Sequence, residues 1–410
     1  MKVLILNVVA KYGSTGKIAQ ILQEGYQKAG NKVTVCYGRQ VLKDSIPNSY
    51  RFTCKIESYL SVVVMRVFGR LNSCLNHSTK KLLRYICKEG PDLIHILNLH
   101  GYYVNEVKLL GHLKKMGIPV IYTMCDEYPY TGKCPFPYDC DRYKSHCTKC
   151  PQIKDYPTSW FFDNSSTLFE KKQKVYNDFD NIVFAGCGYV YERAKASALI
   201  GKKRLECVGE PIDLDNVFYP RDATKLREQL QIPEGNKVVL TVAILDQPRK
   251  GGQYFIDLCN EMKDEPGYSF IYVGYNTNKY DAEIPREVIK IPYVESLDQL
   301  AEYFSLADVF VSTTLADTVP NGVIDSLGCG TPVCAFNIGG MSSVRVQNPD
   351  IVKTSPMYDI QQLKRNVMSF PPKYKDSIKN CRDSIYEDFS VQSVMKKYLD
   401  ISNRLVNKKR

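Results

Sequence analysis

No stretch of eighteen apolar residues occurs in the 410-residue chain, so the sequence offers no helix long enough to span a bilayer. The opening MKVLILNVVAKYGSTG has only about seven apolar residues before a polar turn, too few for a secretion signal, and is expected to be a first β-strand. Low-complexity tracts and internal repeats are missing, as is any nucleic-acid-binding module. An apolar fraction of 44% and a charged fraction of 24% are ordinary for a soluble globular protein. At ~100–200 residues per domain, the length predicts two domains. Without a secretion signal, the fifteen cysteines are expected to be reduced thiols in a cytoplasmic protein. Cys36, Cys207, Cys329 and Cys334 stand singly in apolar runs and read as small core residues.

The net charge of +11 is uneven. Residues 51–90 hold eight Lys or Arg against two Glu, Glu57 and Glu89. Within them Ile56, Tyr59, Leu60, Val63, Val64, Val67 and Phe68 recur at helical spacing. Such a helix either packs on its own domain with a solvated basic face, or lies on a membrane surface, drawn to anionic lipid or a lipid diphosphate. The rest of the chain is only mildly basic, so no nucleic-acid partner is expected.

Short β-branched runs alternate with helical stretches: 3–9, 33–37, 93–97, 120–124 and 182–185, then 238–243, 270–273, 309–312 and 333–336. Near-continuous apolar strands between helices predict parallel sheets covered on both faces. Two such series predict an α/β protein of two doubly wound, Rossmann-like domains. The divisions expected are 1–210, with the basic helix in 51–90 and a Cys-rich insertion at 126–165, then 211–390, then a helical tail at 391–410. The extended GEPIDLDNVFYP (209–220) marks the boundary.

Ligands bind beyond the carboxyl ends of such strands, so the loops there carry the information. After the first strand, Gly13-Ser14-Thr15-Gly16 precedes a helix; small residues let a ligand approach the backbone, and a helix start favours anions. In AILDQPRKGGQYF, Arg249 and Lys250 stand at a helix start, where cations oppose the dipole; an anion held between them and the helix would explain both. In DTVPNGVID, Asp317 lies on the loop after strand 309–312 and Asp325 in the early helix that Pro320 begins. Thr318, Val319, Pro320, Asn321 and Gly322 form the turn between them, whose free amides suit phosphate while the carboxylates suit hydroxyls. In CPFPYDCDRYKSHCTKCP, Cys134, Cys140, Cys147 and Cys150 have the spacing C-x5-C-x6-C-x2-C. Structural zinc, two disulfides and free thiols are all readings of that spacing. The same insertion carries Tyr128, Tyr130, Tyr138, Tyr143, Tyr156 and Trp160, rings that suit sugar stacking or plain packing.

The chain resembles family 4 glycosyltransferases of the GT-B fold, in the branch of colanic-acid and capsular-polysaccharide synthesis. The resemblance runs nearly end to end and rests on GSTGKIA, VCYGR (35–39), PDLIHILNLHGYYVN (91–105), YTGKC…CPQ (130–152), PRKG (248–251) and DTVPNGVIDSLGCGTPVCAFNIGG (317–340). It implies two domains facing across a cleft, with the C-terminal helix returning to the first. It implies retaining transfer of a sugar from a nucleoside diphosphate donor to a lipid-linked or oligosaccharide acceptor in surface-polysaccharide synthesis. No cofactor is implied for catalysis. The enzyme would be cytoplasmic, at the inner face of the cell membrane. Asp317 and Asp325 fall on the family's two acidic positions, usually Glu, the first touching the transferred sugar and the second the ribose. Lys250 falls on the diphosphate lysine, with Arg249 beside it. His100, Cys125 and Asp126 lie on the acceptor side. Three departures stand out: both acids are Asp, Ile244 occupies the place of an arginine, and Cys125 that of a histidine. These departures leave a sugar-nucleotide 2-epimerase and a non-catalytic partner subunit as alternatives.

Overall fold

The computed structural model describes every residue except 12, 40–45, 245–246, 276–283, 345–347, 372, 374 and 408–410, the last three being the basic end of the tail. The described chain forms two units, Met1–Pro211 with Val394–Arg410, and Ile212–Ser393.

The first unit is built on a seven-stranded sheet: β1 (Lys2–Asn7), β2 (Lys32–Tyr37), β3 (Ser49–Arg51), β4 (Leu93–Ile96), β5 (Val120–Thr123), β6 (Ile182–Gly186) and β7 (Arg204–Cys207). Their order is β3-β2-β1-β4-β5-β6-β7, and every pairing is parallel. The second unit holds β8 (Lys237–Val242), β9 (Tyr268–Tyr275), β10 (Ile289–Pro292), β11 (Val309–Ser312), β12 (Val333–Phe336) and β13 (Val352–Ser355). Their order is β10-β9-β8-β11-β12-β13, again all parallel.

Parallel strands need helical crossovers, which cover both faces of a sheet. Hence β4, β5, β6 and β12 are buried at every position. In each sheet the winding reverses once, between β1 and β4 and between β8 and β11. Loops leave a crevice at the carboxyl ends of those two pairs.

The tail helix Val391–Asn407 packs on the first unit. Tyr398 hydrogen-bonds Thr123 Oγ1 (2.8 Å), and Ser402 bonds the Tyr26 hydroxyl (3.0 Å). Both reach His95 on β4, whose Nδ1 meets Tyr26 (3.2 Å) and Nε2 meets Thr123 (2.8 Å). Burial pushes the His95 pKa down to about 3, so it serves here as a neutral hydrogen-bonding ring.

Every cysteine is a free thiol. Cys36, Cys329 and Cys334 are core residues; Cys207 is not. It is only half-buried on β7, an edge strand with solvent on one side.

The basic segment forms two helices, Lys55–Phe68 and Asn76–Glu89. The first turns a polar face inward. Its buried residues are Ser58, Ser61 and Met65. Ser58 donates to the Tyr102 carbonyl (2.7 Å), and Glu57 accepts the amides of His77 and Ser78 (2.8 and 2.7 Å), capping the next helix. The apolar stripe faces out: Ile56 is 77% exposed and Tyr59 72%, with Leu60, Val63 and Phe68 exposed beside them. Ile56→Ser and Val63→Ser are each expected to change the unfolding free energy by no more than about 0.5 kcal/mol, whereas Met65→Ala costs about 2–5 kcal/mol. Urea unfolding checks this; equal losses at all three positions would place the stripe inside.

Candidate active site

The second unit's switch point is framed by the loops after β8 and β11. After β8 the chain makes a single 3-10 turn, Pro248–Lys250, and enters the helix Gly252–Glu261. Gly251, at φ +64°, separates them; a Cβ there would collide with the Thr313 carbonyl oxygen. Only glycine permits this approach of backbone to backbone. The loops are then stitched together, with Leu315 N–H donating to the Arg249 carbonyl (2.8 Å) and Arg249 Nη1 to that of Ala316 (2.7 Å).

Asp317 closes the arrangement. Its Oδ2 accepts from Lys250 Nζ at 2.7 Å and Arg249 Nη1 at 3.1 Å, while Oδ1 accepts the Thr318 amide (3.0 Å). One half-buried carboxylate thus holds both expected cations. On the other side, Gly340 packs so closely on the Asp317 carbonyl that a side chain would not fit.

The remaining residues of the motif divide. Thr318, Val319 and Pro320 are buried and position the loop, the Thr318 carbonyl accepting from Ser343 (2.8 Å). Asn321 and Gly322 open the helix Asn321–Gly328, so their amides have no acceptor within it. Asp325 lies on that helix, half-exposed. Ile244 is half-buried and supplies only a carbonyl, to the Gln247 amide (3.1 Å), in keeping with a lost cation at that place.

The first unit's switch point has its own residues. Gly13 begins the helix Gly13–Lys28 at φ +70°, with open space where a side chain would be. Ser14 is exposed, Thr15 half-buried, and Gly16 abuts the Lys11 backbone. Beyond β4 and β5 a polar cluster forms. His100 Nε2 lies 2.6 Å from Asp126 Oδ2 and 2.8 Å from Asn98 Nδ2, and Nδ1 lies 3.1 Å from the Tyr156 hydroxyl. Tyr128 and Tyr156 pack edge-on against the imidazole. The sequence motifs point to His100 and Asp126 but not to Asn98 as a partner, and they place Tyr156 only among the insertion's aromatics. Cys125 is different: burial first, then the charges of Glu210 and Asp126, raises its thiol well above the usual range, so it is neutral.

The insertion's four cysteines all line one cavity of about 20 Å³. Burial is the main cause that raises the thiols of Cys134, Cys147 and Cys150, the second to about 11. Among the described residues, no three Cys, His, Asp or Glu side chains are gathered closely enough to hold a metal ion.

Against known proteins, residues 236–366, most of the second unit, match the model of the family described as glycosyl transferases group 1. WcaC of Escherichia coli K12, provisionally a colanic acid biosynthesis glycosyl transferase, is 21% identical over 352 residues, which is 82% of this chain and 83% of that protein. Residues 236–366 thus carry the group 1 glycosyltransferase pattern, and the chain as a whole is similar to a glycosyl transferase. The GT-B fold accords with solved structures. Sucrose-phosphate synthase from Thermosynechococcus elongatus superimposes at a TM-score of 0.75 with 16% identity, over 99% of both chains. HepE of Anabaena in complex with UDP gives 0.68 with 16% identity, over 98% of this chain and all of that one. In this chain, Asp317 neutralises the cations that an anionic ligand would meet. Asp317→Asn is therefore expected to strengthen binding of inorganic diphosphate roughly two- to fivefold, the scale of partly exposed ion pairs of ~0.5–1 kcal/mol. Calorimetric titration tests it, and weaker binding would mean that the carboxylate orients the cations instead.

Proposed function

We propose that this protein is a glycosyltransferase that moves a sugar, with retention, from a nucleoside diphosphate donor to a lipid-linked acceptor in polysaccharide synthesis. The observation that carries the donor half is the Asp317–Arg249–Lys250 clamp at the second sheet's switch point. An arriving diphosphate exchanges with the carboxylate. Lys250 and Arg249 turn to phosphate oxygens, and Asp317 is freed to accept a hydroxyl of the sugar. Arg249 thereby takes the part of the cation missing at Ile244. Asp325 accepts ribose hydroxyls, and the amides of Asn321 and Gly322 meet phosphate.

In the transfer, the acceptor oxygen bonds to the anomeric carbon as the bond from that carbon to the phosphate oxygen breaks. The acceptor's proton passes to the leaving diphosphate on the same face. Charge grows on the leaving group, where the two cations stabilise it. His100, fixed by Asp126 and Tyr156, presents a hydrogen-bonding ring on the acceptor side. The outward apolar face of Lys55–Phe68, with Lys55, Arg66 and Arg70 at its ends, supports a membrane-bound acceptor.

A panel of nucleotide sugars, screened for binding and transfer, tests the reading. Lys250→Ala is expected to slow transfer about 10²-fold or more. Asp325→Ala should weaken donor binding by roughly 1–3 kcal/mol, the cost of an unpaired hydroxyl. Donor turnover without acceptor would favour a 2-epimerase, and donor binding without any turnover a non-catalytic partner.

We propose separately that the four cysteines hold a structural zinc ion. Their shared cavity has the volume of about one small ion or water, and four thiolates suit zinc, although the thiols would have to draw together around it. Protein purified under reducing conditions is expected to carry one zinc per chain, lost in Cys147→Ser. Metal analysis finding none in the wild type ends the idea.

A further inference from the structure

We infer that the first unit contains a seat for the diphosphate of a lipid-linked acceptor, joined to an apolar track for its hydrocarbon. This rests on the proposed lipid-linked acceptor and names where that acceptor binds.

The seat is a cavity of about 680 Å³ between the turn after the helix Lys55–Phe68, the start of the helix Glu106–Met116, and the helix Ser165–Asn177. Its size is that of a ligand pocket. Arg70, Lys108 and Lys171 line it. Arg70 and Lys171 are exposed and have no acidic partner among the described residues; Lys108 Nζ meets only the Asn76 amide oxygen (3.3 Å). The one acid in the wall, Glu106, is turned away. Its Oε1 accepts from Tyr128 (2.5 Å) and lies 4.0 Å from buried Lys172. At the helix start, Asn105 caps the Lys108 amide and leaves those of Glu106 and Val107 without an intrahelical acceptor. Three cations and two amides around an open cavity suit a diphosphate.

The track begins at the cavity mouth. Asn164, in the wall, donates to the Phe68 carbonyl (2.5 Å), and Phe68 stacks on Phe162 at 6.4 Å. The Trp160 backbone amide donates to the Arg66 carbonyl (2.7 Å), and the Arg66 guanidinium lies over the indole. Phe161 is 70% exposed, with Trp160 and Phe162 exposed on either side. The aromatic loop and the outward stripe of Lys55–Phe68 therefore make one apolar surface that ends at a cationic pocket. A lipid with hydrocarbon at one end and diphosphate at the other matches that sequence of surfaces. The pocket wall also touches the acceptor side, because Tyr128 bonds Glu106 and packs on His100.

The test uses the full chain and phosphatidylcholine vesicles containing a polyprenyl diphosphate, against vesicles of equal charge made with phosphatidylglycerol. Wild type is expected to bind the diphosphate vesicles about tenfold or more tightly than the others. The double variant R70E/K171E should lose that preference and keep nucleotide binding, and R70K/K171R should retain both. W160S/F161S/F162S should lose all vesicle binding while keeping nucleotide binding. Equal binding to both vesicle types, or an unchanged preference in R70E/K171E, overturns the seat. Transfer to a soluble oligosaccharide, measured on the same proteins, separates the ideas. Transfer without any vesicle binding sinks seat and lipid acceptor together, and leaves the transferase reading standing. Preference for the diphosphate without transfer to the soluble acceptor supports both the seat and the lipid-linked acceptor.

Discussion

One carboxylate between two cations organises the second unit's loops. Asp317 is reached by Arg249 and Lys250 from a different strand end, and those contacts exist because β8 and β11 are neighbours at a point of reversal. The backbone must first come close enough for the side chains to meet, hence glycine at 251 and 340. The clamp also sets the terms for a ligand. A partly exposed ion pair is worth little in stability, so an anion that competes for its cations need give up little to open it. A buried pair at the same place would resist exchange.

The sequence reads well wherever burial is two-sided. All nine runs picked out by their apolar content are interior strands: five in the first sheet, four in the second. The four strands without such a run are β3, β7, β10 and β13, and these are the four sheet edges. The reason is physical. An edge strand is half-solvated, so SYR and RLEC carry charge and no continuous apolar stretch. For the candidate site, loop position and residue type pointed to Asp317, Arg249 and Lys250, which lie together in the structure. That both cations would fall on one oxygen was not legible, since it depends on which strands are neighbours. The same holds for His100, whose partner Asn98 shares its loop after β4 while Asp126 and Tyr156 come from the insertion after β5.

Periodicity showed a stripe on Lys55–Phe68 but not its direction. Seven apolar residues at helical spacing describe an inward and an outward face equally well. What decides is the opposite face. Ser58 and Glu57 hydrogen-bond to the domain and Met65 is buried beside them, so that face packs inward and the apolar stripe is left facing out.

The insertion that carries the exposed aromatics raises a harder question of stability, since its only regular structure is two single 3-10 turns, Tyr128–Tyr130 and Arg142–Lys144. Backbone carbonyls in such a loop lack the partners that a helix or sheet would give. Two buried lysines supply them. Lys172 donates to the carbonyls of Tyr128 (2.7 Å) and Thr131 (3.1 Å) and lies over the Tyr128 ring; Lys133 donates to those of Ile153 (3.0 Å) and Pro157 (2.9 Å). Burial lowers the pKa of both ammonium groups, an effect opposed by these carbonyl acceptors and by nearby acidic groups, Glu106 foremost for Lys172 and Cys150, Cys134, Asp163 and Asp155 for Lys133. The insertion is thus fixed from within by charge. That leaves Trp160, Phe161 and Phe162 free of any structural duty in its core, and free to be spent on whatever lies outside.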